Sequence, residues 1–550
     1  MQNPLLDIQN LLKSQQFDKA IKTARKLLKD SKFGPGAHQL SAHAYMGLQK
    51  QKEALTTLSK AAKKWPQDGA IRQNFAGLLF QQQKFKEAKR EFEFLLKLKP
   101  DDSIFLSNLA NCHLALDNMA KAEELAEKSI TVANPHANGF NILGIIYLRQ
   151  DKIDQAEEIF KKALSLNMLS LDLAFNTLQF CETHNQPEKA LEIYESLPKA
   201  FQDNSQIQLQ LSILKRRAKD FKTAKALILD ALKTPDQLTP VQMKQCYFEL
   251  GKNCDHLAES ADSFAAFEHG NKIAQQLAAN QNFASPYDTL KKMETLVLEG
   301  GNLEKSPHFV LGFPRSGTTL IEQVLSQNED IQIFEETPVI AKVLSHAFDL
   351  AKKGKKLDRT TLQQMYFDLY QSEEGWDGTS TLMDRSAPNM LYYPFICQLF
   401  PTAKQIILLR HPMDVVFSCF MQDFAPSGLN MEFSDLGRTA KVYNQIMNGI
   451  YAKSPQDNPD ILLLKYEQIV DDFDLATKAL FSFMDLEWHE GLREFWKHSR
   501  TKKAIKTASY QQVVEPLYNA AVNRWERYND KLAPYQNLLA SHLKEQGYQS

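Results

Sequence analysis

The sequence predicts a multidomain chain, with an all-α repeat array in its first half followed by an α/β domain on a central parallel sheet. Three observations carry that expectation. Alanines recur on a 34-residue grid from Ala20 to Ala224. The segment HFVLGFPRSGTTLIEQVLSQ (308–327) reads as strand, glycine-containing turn and amphipathic helix, and KQIILLRHPMDVVFSCF (404–420) repeats the strand-then-helix pattern. At 550 residues the chain is also too long for one hydrophobic core.

The grid is Ala20, Ala54, Ala88, Ala122, Ala156, Ala190 and Ala224. Three residues before each alanine stand Phe17, Phe85, Met119, Ile153 and Phe221, with Gln51 and Pro187 breaking the pattern. Twelve residues before stand the small Ala42, Ala76, Ala110, Gly144 and Ser212, with Ile8 and Leu178 as exceptions. Two antiparallel helices approach closely where side chains are small, and a larger residue fills the space beside them. Such a pair cannot bury its apolar face alone, so pairs stack in arrays. Pro66 and Pro100, twelve residues after Ala54 and Ala88, end the second helix. This pattern resembles the tetratricopeptide repeat, in about seven copies over residues 1–235, with SADSFAAFEHGNKI (260–273) as the second helix of an out-of-register eighth. The expected organisation is a solenoid over 1–270, a linker helix and boundary over 271–306, and a catalytic domain over 307–550. The resemblance implies a groove for an extended peptide or partner protein.

Lys plus Arg (65) nearly cancels Asp plus Glu (66), which argues against non-specific nucleic-acid or membrane binding, so any anion site must be local. Six scattered cysteines without close pairs point away from zinc and toward a reducing compartment. The start MQNPLLDIQNLLKSQQ lacks a basic stretch followed by an apolar run, and nowhere do 18 apolar residues run together. A cytoplasmic location is expected.

Strand, loop and helix at 308–327 form an arrangement that cradles phosphate. N–H groups at the helix start face the anion, and the helix dipole adds about 0.3–1 kcal/mol. Gly312 and Gly317 have the spacing of the nucleoside-triphosphate loop, but Thr318 stands where that motif needs Lys. The cation is Arg315, inside the loop. A single phosphate bearing a sulfuryl group carries less charge than a triphosphate, and no metal is expected. A nucleotide kinase stays open as a rival, to be revived by tighter binding of ATP with magnesium than of 3′,5′-adenosine bisphosphate.

PRSGTT resembles the 5′-phosphosulfate loop of sulfotransferases, the first of several matches spanning about 307–535. The resemblance implies 3′-phosphoadenosine 5′-phosphosulfate as co-substrate, held by Pro314, Arg315, Ser316, Gly317, Thr318 and Thr319. KQIILLRHPMDVVFSCF is similar to the family's 3′-phosphate site, which assigns that phosphate to Arg410 and Ser418. ILLLKYEQIV resembles the strand whose Tyr466 lies near the nucleotide. TASYQQVVEPLYNAAVNRWERYNDKLAPY (507–535) resembles the C-terminal element in which Ser509 and Arg524 close over it. Read blandly, Tyr466 is a core residue, Ser509 a loop serine and Arg524 a solvated charge.

Sulfuryl transfer needs positioning, charge stabilisation and a base for the acceptor proton. FEETPVI (334–340) offers Glu335 and Glu336. Sulfotransferases similar in pattern, including the tyrosylprotein type, carry their base 21 residues after the loop arginine, which here is Glu336, with Glu335 a structural neighbour. In MDRSAPNM, Arg385 stands where many relatives have a lysine that assists the leaving phosphate, while Asp384, Pro388 and Asn389 are kept. Arginine supplies charge and two donors but no transferable proton, which implies tuned or reduced activity. Asn328-Glu329 replaces a frequent His-Pro. The candidate catalytic set is therefore Glu336, Arg315 and Arg385. The acceptor is a hydroxyl on a peptide or protein, a small molecule or a glycan, with specificity expected in Ala341–Thr381 and the repeat groove. The alternative is a repeat-based interaction protein whose transferase half binds nucleotide but is weakly active.

Overall fold

The computed structural model describes residues 4–48, 50–150, 152–184, 186–497, 515–517 and 519–548. By compactness the chain divides into Met1–Phe180 and Cys181–Ser550, the boundary falling inside the helix Leu171–Thr183.

The N-terminal unit is a series of helical hairpins, for example Gly69–Gln81 with Phe85–Leu98 and Ala137–Arg149 with Ile153–Ser165. Each grid alanine is the fourth residue of a second helix, and Ala20, Ala54, Ala88, Ala122 and Ala156 are fully buried. The small partner position is equally constrained. A β-carbon on Gly144 would lie 2.5 Å from the Phe160 ring. Between helices the chain turns through a left-handed residue, Gln15, Gln83 or Asp117, and the following N–H bonds back five residues, as from Asn118 to the His113 carbonyl at 2.9 Å. Asp68 and Asp102 cap the next hairpins by accepting backbone N–H bonds. Helices end at Lys64 and Leu98, two residues before Pro66 and Pro100.

In the C-terminal unit the pattern continues. Ala190 and Ala224 are fully buried, and Ser212 Oγ donates to the Ala224 carbonyl at 2.9 Å. The eighth hairpin is Pro240–His256 with Ser260–Ala278. Ser263 takes the place of the grid alanine, five residues later than the register requires, and donates to the Gly251 carbonyl at 2.9 Å. Phe248 and Phe267 of this hairpin belong to the same core as the sheet.

That sheet has five parallel strands, β1 (His308–Gly312), β2 (Ile331–Glu335), β3 (Thr381–Arg385), β4 (Gln405–Leu409) and β5 (Ile461–Lys465), in the order β2-β3-β1-β4-β5. Period-two alternation divides their side chains between two cores. Phe309, Leu311, Ile407 and Leu409 face one, and Val310, Met383, Ile406 and Leu408 the other. A separate two-residue pairing joins Leu298–Glu299 to Leu357–Asp358. Strand order reverses about β1, and a parallel sheet offers its ligand crevice at the carboxyl ends beside such a point. Among the described residues no helix is long and apolar enough to cross a membrane.

Candidate active site

All five strands deliver a sequence-predicted residue to that edge: the 312–319 loop from β1, Glu336 from β2, Arg385 from β3, Arg410 from β4 and Tyr466 from β5. The helix Thr318–Leu325 starts at Gly317, whose φ of +107° puts it in the left-handed region, and a β-carbon there would lie 2.8 Å from the Tyr466 ring. Tyr466 therefore closes against the loop backbone. Arg315 (φ 74°) and Glu336 (φ 52°) are also left-handed, a conformation that costs a non-glycine residue about 1–3 kcal/mol and concentrates at functional sites.

Two clusters flank the loop. On the β4 side, Arg315 Nε donates to Ser418 Oγ at 3.2 Å, and Arg410 donates through one nitrogen to the Arg315 carbonyl at 3.0 Å and through another to the Ala521 carbonyl. The Arg410 guanidinium lies over the Tyr466 ring, 5.0 Å from its centroid. Arg524 joins Arg315 and Ser418 in lining a cleft of about 1120 Å³. Buried polar atoms here that make no hydrogen bond include Ser316 Oγ, Arg410 Nε and Arg524 Nε. Buried donors are rarely left so. Together with the N–H groups at the helix start, they suit a ligand carrying a phosphate at each end.

On the β3 side, Arg385 is buried between two carboxylates and a hydroxyl, with its Nε in ion-pair range of Glu322 but making no hydrogen bond. That ion pair spans 3.0 Å, one terminal nitrogen donates to Glu336 Oε1 at 2.6 Å, and the other donates to Thr319 Oγ1. The Glu336 N–H donates to the Arg385 carbonyl at 3.0 Å, which fixes the carboxylate against the strand end. Burial raises the Glu336 carboxyl above its ordinary value, and the Arg385 charge opposes that rise. Asp384, behind Arg385, accepts from Tyr366 at 3.1 Å and Asn389 at 2.8 Å, and burial raises it to about 7.

Pro314 to Thr319, Glu336, Arg385, Arg410, Ser418, Tyr466 and Arg524 thus converge on one edge, while Ser509 lies outside the described residues. Glu335 stands opposite Arg385 in strand register. Sequence reasoning missed Glu322 and Asp414. Glu322 was legible as an acid on the helix immediately after the loop. Asp414, four residues after Arg410, accepts from the Asn523 and Trp525 N–H groups at 2.8 and 2.9 Å and so anchors the turn that carries Arg524.

Residues 307–490 match the family model described as sulfotransferase family, and residues 101–167 match the one for the tetratricopeptide repeat. The matches therefore put a sulfotransferase-family domain over 307–490, in a chain that also carries tetratricopeptide repeats. Similar proteins include an uncharacterized protein of Aquifex aeolicus (strain VF5), 30% identical over 44% of this chain and 34% of that protein. Protein-tyrosine sulfotransferase 1 of Danio rerio is 21% identical over 45% of this chain and 70% of its own length. Protein-tyrosine sulfotransferase of Drosophila melanogaster is 21% identical over 41% and 48%. The chain thus spans about a third of the first relative and about half of the last. Among solved structures, a tetratricopeptide repeat protein from Parabacteroides merdae covers 42% of this chain at 15% identity and a TM-score of 0.35.

Proposed function

We propose that this protein transfers a sulfuryl group from 3′-phosphoadenosine 5′-phosphosulfate to an acceptor hydroxyl. The observation that carries the reading is the edge itself, where an anion loop, Arg315, Arg385, Arg410, Arg524 and a burial-tuned glutamate meet at the carboxyl ends of five parallel strands. The 314–319 loop would hold the phosphosulfate, and Arg410, Ser418 and Arg524 the 3′-phosphate. The acceptor oxygen attacks sulfur in line with the donor's bridging oxygen. One S–O bond forms, the S–O bond to the phosphate breaks, the hydroxyl proton passes to the Glu336 carboxylate, and 3′-phosphoadenosine 5′-phosphate leaves. Arg315 and Arg385 would offset the charge on the departing phosphate.

The protein-tyrosine sulfotransferases among its relatives and the repeats, a fold used for protein binding, favour a peptide or protein acceptor. The scattered cysteines, which show no close pairs along the sequence, support placing this activity in a reducing, cytoplasmic compartment. Purified protein with isotopically labelled donor and a lysate as acceptor source should yield +SO₃ products. Glu336→Ala should abolish transfer through kcat, and Arg410→Ala should weaken it mainly through the donor KM. Full transfer by both variants would overturn the site assignment.

A second reading rests on Arg385, whose guanidinium is occupied by Glu322, Glu336 and Thr319. If those contacts persist with donor bound, the domain is a weakly active nucleotide-binding scaffold. Calorimetric binding of 3′-phosphoadenosine 5′-phosphate without turnover would favour it.

A further inference from the structure

Two arginines of the β4-side cluster each face a buried carboxylate, Arg410 through a terminal nitrogen and Arg524 through Nε. Arg410 has a buried Nε without a hydrogen bond and faces the buried carboxylate of Asp414 at 3.8 Å. Arg524 also has a buried Nε without a hydrogen bond, and it faces the buried carboxylate of Asp255 at 3.8 Å. The carboxylates come from different parts of the unit. Asp414 belongs to the helix after β4, whereas Asp255 is in the eighth repeat hairpin.

Asp255 holds more than Arg524. Its Oδ1 accepts from Arg527 at 2.8 Å and from the Tyr528 hydroxyl at 2.7 Å, and its backbone carbonyl accepts from Arg527 at 2.9 Å. The Tyr528 hydroxyl also lies 2.9 Å from Ser263 Oγ, the residue at the shifted grid position. The 523–528 turn is therefore clamped from two sides. Asp414 binds its backbone N–H groups, and Asp255 binds its side chains. Helix ends of the repeat pairs, including Arg217, Phe221 and His256, line the same cleft as Arg315, Ser418 and Arg524.

We propose that Asp255 is a positioning residue of the donor site, fixing the 523–528 turn so that Arg524 presents its guanidinium to the 3′-phosphate of the donor nucleotide. This rests on the sulfotransferase reading above and extends it, because the last repeat hairpin becomes part of the nucleotide site. A charge-only role has the opposite sign. Removing a carboxylate near an anion site strengthens anion binding, whereas losing the clamp weakens it.

The test uses the full chain and calorimetry with two nucleotides, 3′-phosphoadenosine 5′-phosphate and adenosine 5′-phosphate. Wild-type protein should prefer the first. Asp255→Asn should weaken that nucleotide roughly tenfold, the size of one lost charge-assisted hydrogen bond, and leave adenosine 5′-phosphate unchanged. Arg524→Ala should do the same, and the double variant should bind no worse than Arg524→Ala alone. Arg527→Gln removes only the outer arm of the clamp at a more exposed position, so it covers the case in which Asp255→Asn does not fold. It should give a smaller selective loss. Equal weakening of both nucleotides in the folded variants, or no change in either, would overturn the inference. A wild-type protein with no preference for the 3′-phosphate would instead remove the donor reading, an outcome distinct from a preference that survives Asp255→Asn.

Discussion

Gly317 has no tolerable replacement, because its φ of +107° disfavours any side chain and the Tyr466 ring lies 2.8 Å from where a β-carbon would stand. Gly317→Ala is expected to cost about 1 kcal/mol or more in stability and to weaken donor binding at least tenfold, read by thermal melts and calorimetry. Glu336 offers a sharper test. As a base it must be ionised, and burial already raises its proton affinity while the Arg385 charge holds it down. Replacing Arg385 with Met removes the opposing charge, so the acid limb of kcat/KM should move to higher pH, by roughly one unit or more. Arg385→Lys keeps the charge and should leave that limb near its wild-type place. Equal limbs in all three proteins would show that Glu336 is not the titrating base.

At the scale of the element, close packing sets what each hairpin tolerates. In the N-terminal unit Gly144 touches the Phe160 ring so closely that a larger residue forces the two helices apart. Gly144→Leu should lower stability by about 1–3 kcal/mol in urea denaturation followed by circular dichroism, the usual cost of overpacking. Among the strands, β4 shows why the site is rigid. Four of its residues alternate between two cores, so the position of Arg410 one residue past its end is set by packing on both faces. Loop residues anchored this way keep their geometry better than residues on a free-standing turn.

In the C-terminal unit as a whole, two buried acids shape the pH dependence of stability in opposite senses: Asp384, raised to about 7, loses stability as pH rises from 3.8, whereas Glu249 loses it as pH falls. Burial penalises the Glu249 charge, but Arg216 at 2.7 Å and Lys252 at 2.8 Å outweigh it and hold the carboxyl at about 2, against an ordinary 4.5. Because the folded value is depressed, the contribution is fully present above pH 4.5 and is lost as pH falls toward 2. It amounts to on the order of 3 kcal/mol. Glu249→Gln should flatten the stability profile across that window, and an unchanged slope would show that the pair contributes nothing net.

Periodicity and spacing by themselves determined a good deal. A small residue every 34 positions is a packing requirement written along the chain, and strand-glycine-helix is a local phosphate cradle, so the repeats, the 312–319 loop and the strand before Arg410 were all legible. The eighth hairpin was harder to place, because five extra residues move Ser263 off the grid while its packing role is unchanged. Only the tertiary structure decided which charges meet. Arg385 and Glu336 lie 49 residues apart, Arg385 and Thr319 lie 66 apart, and Asp255 reaches Tyr528 across 273. Polar partners this distant leave no local pattern, since each acid or arginine alone reads as an ordinary solvated charge. Folding determines which of them lose water and must be paired, and that pairing separates the arginines of the site from the others in the chain.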